Sequence, residues 1–231
     1  MNRLRVDWCS VKAARFAVLN WHYSQTMPIA KTVRLGVWFE GAFKGAVIFG
    51  RACRNQHLMF GVRKEEVCEL ARVALDQHEG FHVSAVVARA LKRLKERCPG
   101  LRLVVSFADP AQGHEGKIYQ AGNWIYLGTS APVQVLVHQG KRLHRRKYTG
   151  VAFGRPRTTP PPGSVWITTP GKHRYAYPLD RRTRRRLQRL ARPYPAHEPT
   201  SADARAAGAE HQLGLAVQPR PSASPRPPSA R

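Results

Sequence analysis

Hydrophobic and polar positions along the chain follow two rhythms, one of period two and one near 3.6. "RLRVDW" (3–8) alternates and predicts a first strand. "SVKAARFAVLNWHYS" (10–24) shifts to helical spacing through Val11, Ala14, Phe16, Val18 and Leu19, with Ser10 placed to cap it. "KTVRLGVWFEGAFKGAVIFGRAC" (31–53) holds two apolar runs around Glu40-Gly41 and predicts a hairpin, since glycine supplies the positive φ of a tight turn. "EVCELARVALD" (66–76) reads as a further strand. "HVSAVVARALKRLKER" (82–97) is the clearest helix: Val83, Val86, Val87, Ala90, Leu91 and Leu94 form one face and basic residues the other. "LRLVVSFAD" (101–109) is almost continuously apolar, the mark of a strand covered on both faces. "GKIYQAGN" predicts a short helix, "WIYLGTS" a strand, and "APVQVLVHQGKRLHRR" another strand running into basic sequence. The order predicts an α/β fold on a mixed sheet of six or seven strands with flanking helices.

Past Gly150 the pattern changes. "GRPRTTPPPGS" is a Pro-rich connector unsuited to regular structure. Residues 165–195 carry aromatics, a capping Asp180 and the helix-like "RRTRRRLQRLA", and from about 196 the chain is rich in Ala, Pro and Ser and reads as disordered. The expected organisation is a domain over 1–150, a basic extension over 151–195 packed on or near it, and a tail over 196–231.

Charge sharpens this division. The net charge is +25, yet residues 1–140 hold 19 Lys and Arg against 10 acidic residues, while 141–192 hold 16 against one. Such a concentration attracts polyanions, nucleic acid first. A membrane is not the expected partner, because the basic region has no apolar face and no apolar run approaches the ~20 residues that span a bilayer. The N-terminus has no apolar signal core, and Cys9, Cys53, Cys68 and Cys98 form no C-x-x-C pair. These features fit buried thiols in a reducing cytoplasm.

The densest candidate chemistry is "SFADPAQGHEGKIYQAGNWIYLG" (106–128), which gathers Ser106, Asp109, His114 and Tyr119 around one strand end. Asp109 could accept a proton, hold a neighbour in place, or form an Asp-Pro turn. Ser106 could orient a substrate or bond a loop, His114 could relay a proton or bind phosphate, and Tyr119 could give a proton to a leaving group. His22 and Tyr23 in "NWHYS" form a second cluster, either structural or set beneath a substrate-covering "SQTMP" loop. Arg72 could hold an acyl or phosphate oxygen, or be an edge-facing cation. In the loop "DQHEGFHVSA" (76–85), backbone N–H groups could meet an anion with His82 and Ser84 assisting. In the basic extension, Lys172, Arg174, Arg181, Arg182, Arg185 and Arg186 are candidate phosphate contacts. Tyr175, Tyr177 and Trp166 either stack on bases or pin the extension to the core. Nothing in the spacing demands a metal, although His22, His114 and the tyrosines could gather around iron.

"L-x-R-V-A-L" (70–75), the helix "HVSAVVARAL", the buried strand and "K-I-Y-Q-A-G-N-W" (117–124) together resemble the GNAT acyltransferase core. The resemblance implies a mostly antiparallel sheet in which two neighbouring strands splay apart. The pantetheine of acyl-CoA enters the gap, its pyrophosphate sits at the next helix N-terminus, and the tyrosine matched here by Tyr119 protonates the leaving thiolate. Over about residues 1–195 the segments "NWHYSQTMP", "CELARVAL", "VSFADPAQGHEGKIYQAGNWIYLG" and "KHRYAYPLDRRTRRRLQRLARPYP" are similar to the Mom family of phage DNA-modification proteins.

That second resemblance implies a transferase acting in the host cytoplasm on double-stranded DNA. It would place a carbamoylmethyl group on the exocyclic amine of adenine and so shield phage DNA from restriction. The base would have to leave the stack. Acyl-CoA is the expected donor from the fold. Glycyl-tRNA is the alternative, because a glycyl unit holds the two carbons and the nitrogen. Neither "D-P-P-[YF]" nor G-x-G-x-x-G is present, which argues against an S-adenosylmethionine methyltransferase. An N-acetyltransferase of protein or small-molecule amines, and a non-catalytic DNA-binding protein on an acyltransferase-like fold, are the alternatives.

Overall fold

The computed structural model describes residues 3–195 apart from 30, 53–55, 77–79, 144–147, 149–150, 153–154 and 157. Cys53, part of the 76–85 loop and the tail expected beyond 195 therefore lie outside the described residues.

The elements follow in the order β1 (Leu4–Trp8), α1 (Val11–Trp21), β2 (Thr32–Phe39), β3 (Ala42–Arg51), α2 (Gln56–Phe60), β4 (Val67–Leu75), α3 (Val83–Arg97), β5 (Leu103–Ala108), α4 (Lys117–Ala121) and β6 (Ile125–Thr129). Then come β7 (Val133–His138), β8 (Lys141–Leu143), β9 (Val151–Ala152), β10 (Arg155–Pro156), β11 (Val165–Thr169), β12 (His173–Pro178) and α5 (Arg181–Gln188). The local signals read from the sequence act as expected. The Ser10 side chain accepts the Ala13 N–H at the start of α1, and the Asp180 carboxylate accepts the Thr183 N–H at the start of α5. The β2–β3 turn puts Glu40 and Gly41 at φ 52° and 86°.

Seven strands form the main sheet in the order β1-β2-β3-β4-β5-β12-β6, antiparallel throughout except for the β4–β5 pair. The mixed, mostly antiparallel seven-stranded sheet is thus present, but its members differ from expectation. The "APVQVLVHQGKRLHRR" segment does not join it: β7 and β8 form a hairpin that pairs with β11 in a separate three-stranded sheet. The seventh strand is β12, assigned from sequence to the basic extension. It inserts between β5 and β6 and pairs with β5 along its whole length. Its fit is physical: in "HRYAYP" the Tyr175 and Ala176 side chains are fully buried, and Pro178, which cannot donate to a ladder, stands last. A boundary at 150 therefore does not separate core from extension.

Two layers cover the sheet. On one face α3 packs Val86, Val87, Ala90, Leu91 and Leu94 against Val47, Phe49, Leu70 and Val104, with Tyr119, Trp124 and Tyr175 completing the layer. On the other, α1 covers Ala46, Ile48 and Ala74, while Phe60 of α2 and Leu187 of α5 cover Leu103, Val105 and Ala176. Among the described residues no helix is long and apolar enough to cross a membrane.

Candidate functional site

The parallel pair β4–β5 is hydrogen-bonded only through Val67↔Leu103, Cys68↔Val104 and Glu69↔Val105. Beyond these residues the two strands diverge. A cause lies on the other edge of β4. Its pairing with β3 slips between Phe49↔Leu70 and Ile48↔Arg72, leaving Ala71 as the extra residue of a bulge, and a bulge bends its strand. The fork opens a cleft of about 560 Å³. Its walls are Leu70–Val73 of β4, Phe107 and Ala108 of β5, Trp21–Tyr23 at the end of α1, the loop 113–116, and Lys117–Tyr119 of α4.

Ser106 closes the fork. Its hydroxyl donates to the Leu70 carbonyl (2.9 Å), the first beyond the paired stretch, and its oxygen lies 2.8 Å from the Tyr119 hydroxyl. A serine has one proton to give. With that proton on Leu70, the Ser106 oxygen is the acceptor and Tyr119 the donor. Burial raises the Tyr119 phenol to about 12, against a smaller opposing effect of the Ser106 hydrogen bond. The phenol therefore stays protonated at neutral pH and is a proton donor rather than a base.

Its ring is fixed by Tyr175, stacked with centroids 4.9 Å apart, and by Trp124, edge-on at 5.1 Å. Tyr175 also donates to the Glu115 carbonyl (3.0 Å) and accepts from the Gln120 amide (3.3 Å), locking both the loop and α4. The chain passes so close that Gly116, at φ 85°, leaves no room: a Cβ there would sit 2.4 Å from the Tyr175 ring.

The two histidine-bearing clusters seen in the sequence meet at the rim. His22 lies 4.4 Å from Tyr23 and Tyr23 5.0 Å from His114, ring centre to ring centre. His22 Nδ1 accepts the Ser24 N–H (3.1 Å), so the neutral ring carries its proton on Nε2. Burial first, then the charges of Arg72 and His114, push His22 down to about 4. Arg72 lines the cleft and donates from Nε to the Thr26 carbonyl (3.2 Å) and from Nη1 to the Ala71 carbonyl (2.6 Å). It thereby ties the "SQTMP" loop to β4. Neutral His22 and cationic Arg72 equip the cleft with donors suited to a carbonyl oxygen that gains negative charge.

Asp109 is brought close to the cleft but not onto its wall. Asp109 is buried, and its carboxylate pairs with Lys172 Nζ at 2.9 Å and accepts the Ala111 N–H that starts a short 3₁₀ turn. Its backbone carbonyl accepts the N–H of His114 (3.2 Å). Of the roles open to it, the geometry supports holding the His114 loop rather than meeting a substrate.

A second hollow of about 620 Å³ lies at the N-terminus of α3, lined by Gly80–Ser84, Lys117, Ile118 and Ala121. It shares Lys117 and Ile118 with the cleft. His82 occupies the N-cap position without a side-chain cap bond. His82 and Ser84 thus sit at the helix end, whereas Arg72 belongs to the cleft.

The expected nucleic-acid residues divide. Tyr175 is completely buried and Tyr177 packs on Trp124 with centroids 5.4 Å apart, so these tyrosines pin β12 to the core. Lys172 is engaged with Asp109, and Arg186 Nη1 donates to the Phe60 (3.1 Å) and Gly61 carbonyls, tying α5 to α2. Arg181, Arg182 and Arg185 stand exposed on α5, and Trp166 is exposed on β11. Arg174 faces Phe107 and Met59 beside the cleft. Among the described residues, no group of three or more His, Cys, Asp or Glu side chains gathers to hold a metal ion. Sequence reasoning missed Trp21 and Phe107 as cleft walls and Gly116 as a packing necessity. Only the position of Phe107 at the end of a buried strand hinted at its place.

Comparison with known proteins adds three similarities. The chain is 28% identical over 130 residues to methylcarbamoylase mom of Escherichia phage Mu, the match covering 54% of each protein. The chain thus matches about half the length of that curated relative. Among solved structures, it is similar to yncA, a putative acetyltransferase from Salmonella typhimurium determined with acetyl-CoA (13% identity, 78% of this chain and 95% of that one, TM-score 0.45). It is also similar to spermidine N-acetyltransferase from Vibrio cholerae (11% identity, 77% and 95%, TM-score 0.43). The Mom protein family matches residues 3–196, most of the chain, and the chain belongs to that family.

Proposed function

We propose that this protein transfers a glycyl unit, two carbons and one nitrogen carried as a thioester of an acyl-CoA-type donor, to the exocyclic amine of adenine in phage DNA. Attack on the thioester gives the N-glycyl amide, an isomer of the carbamoylmethyl adenine that protects phage DNA from host restriction, and an intramolecular rearrangement of that adduct, with no atom gained or lost, completes the conversion. The observation that carries the reading is the Ser106–Tyr119 pair, which places a buried, protonated phenol at the fork of two diverging strands. Membership of the Mom family and the methylcarbamoylase name of the phage Mu relative support the same reading.

The residues fit such a donor. A helix N-terminus offers backbone N–H groups and a positive dipole end to a pyrophosphate. The hollow at α3 shares Lys117 and Ile118 with the cleft at the fork. A long thin donor laid along that route brings its reactive end to Tyr119. When the adenine amine attacks the thioester carbon and the bond to sulfur breaks, the Tyr119 hydroxyl turns its proton from Ser106 to the departing thiolate, and Arg72 and the His22 Nε2–H stabilise the carbonyl oxygen. The adenine amine is a weak nucleophile whose lone pair is delocalised, so it gains most from exact placement and from loss of its own proton. His114 stands at the rim to take that proton. Extruding the base costs a few kcal/mol, which phosphate contacts to the cationic surface offset.

The test is nucleoside mass spectrometry of DNA from cells expressing the protein. A nitrogen-bearing two-carbon adduct on adenine is the expected result. Unmodified DNA combined with acetylated protein or polyamine would replace this reading by that of an ordinary N-acetyltransferase. DNA binding with no product of either kind would reduce the protein to a binding module.

A further inference from the structure

Arg174 is poorly provided for. Its Nε is buried and has no hydrogen-bond partner among the described residues, and its Nη1 meets only the soft Sδ of Met59 at 3.1 Å. A guanidinium carries five donors and cannot shed its charge, so burying one of them unpaired costs free energy. No carboxylate pairs with it among the described residues, whereas the neighbouring Lys172 has Asp109.

Its place is specific. Arg174 stands opposite Phe107 across the β5–β12 ladder, with Cζ 6.0 Å from that ring, and Phe107 is a wall of the cleft. Strand alternation sends Tyr175 to the α3 face and Ala176 to the face covered by α2 and α5. Arg174 shares the face of Ala176, as its contact with Met59 of α2 shows. It therefore approaches the cleft from the face opposite the α3 helix end. Beside it Leu58 and Met59 project an apolar shoulder, 68% and 50% exposed.

We propose that Arg174 is the seat of a DNA phosphodiester, the one flanking the adenine that enters the cleft, with the Leu58–Met59 shoulder against the opened base step. The inference rests on the reading of the cleft as an adenine site. A phosphate meets the Nη side of the guanidinium, whose Nη1 has only the Met59 sulfur as partner, and matches its planar fork. Apolar side chains beside such a contact are the usual means of filling an unstacked step.

The test uses Arg174→Met in the full-length protein. Methionine keeps the contacts with Phe107 and Met59 but removes the charge and the orphaned N–H. Thermal unfolding and affinity for a 20-base-pair duplex are measured, the latter as a function of salt, together with affinity for acetyl-CoA and for tRNA. The expected result is a protein at least as stable as the wild type, a loss of duplex affinity of roughly tenfold or more, a salt slope shallower by about one, and unchanged acetyl-CoA affinity. A methylphosphonate beside the modified adenine should weaken the wild type and leave Arg174→Met unaffected.

Three results would overturn the proposal: an unchanged duplex affinity and slope, a loss confined to acetyl-CoA, which would assign Arg174 to the donor's phosphates, or a loss confined to tRNA. Should Arg174→Met prove less stable, Arg174→Lys decides, because it keeps the charge. Equal duplex binding by Arg174→Lys and Arg174→Met would refute a phosphate contact. Absence of modified adenine in the wild type would defeat the adenine reading without touching these binding results.

Discussion

Gly116 is the residue on which the site's geometry presses hardest. It combines φ 85° with a Tyr175 ring 2.4 Å from where a Cβ would stand. Gly116→Ala incurs a left-handed backbone cost of about 1–2 kcal/mol and displaces the ring that holds Tyr119. The expected outcome is a lower midpoint of urea unfolding together with loss of activity; a variant as stable as the wild type would show that the loop is not packed in this way. His22 gives a pH signature. Its pKa is lowered from 6.5 to about 4, chiefly by burial, so between those values the unfolded chain binds a proton that the folded chain does not. Stability contributed by neutral His22 is complete above about pH 6.5 and is lost as pH falls toward 4. His22→Gln should flatten that part of the stability–pH curve, as followed by denaturant titration from pH 4 to 7. An unchanged curve would mean that other groups govern it.

At the scale of elements, the Asp109 turn and β12 matter most. Asp109 anchors the His114 loop through its side-chain and backbone oxygens. Asp109→Asn keeps an oxygen for the Ala111 N–H, whereas Asp109→Ala removes it. Activity within about tenfold of wild type is expected for the former and a much larger loss for the latter, since a misplaced loop costs of order a hundredfold. Equal, severe losses in both would restore Asp109 as a base.

Most elements were legible in the sequence because their signals are local. The Ser10 and Asp180 caps, the Glu40-Gly41 turn and the apolar face of α3 each lie within a few residues of what they specify. Ser106, Tyr119 and His114 were legible as a group for the same reason. The rest depends on chain distant in sequence. Nothing near "HRYAYP" announces that it will slip between β5 and β6, and its cations drew the eye toward nucleic acid instead. The meeting of His22 and Tyr23 with His114, and the occupation of Asp109 by Lys172, likewise appear only once the sheet is assembled.

Over the whole molecule, core and charge are interwoven. Truncation after Gly150 removes β12, leaving β5 and β6 without their shared neighbour and the α3 layer without Tyr175. Such a fragment should lose cooperative thermal unfolding, observable by circular dichroism, rather than survive as a weak DNA binder. A sharp, native-like transition would re-establish 1–150 as an autonomous domain. In the intact protein, the 16 cations between 141 and 192 should make the logarithm of duplex affinity fall linearly with the logarithm of salt.

In the proposed function the Tyr119 phenol, held by Ser106 where β4 and β5 part, donates the proton that completes group transfer. The most direct test is the rate of adenine modification by Tyr119→Phe under saturating donor and DNA. Phenylalanine preserves the packing on Tyr175 and Trp124 and removes only the hydroxyl. A fall of roughly a hundredfold or more, with donor and duplex affinities retained, is predicted. A rate close to that of the wild type would remove the Tyr119 hydroxyl from the chemistry.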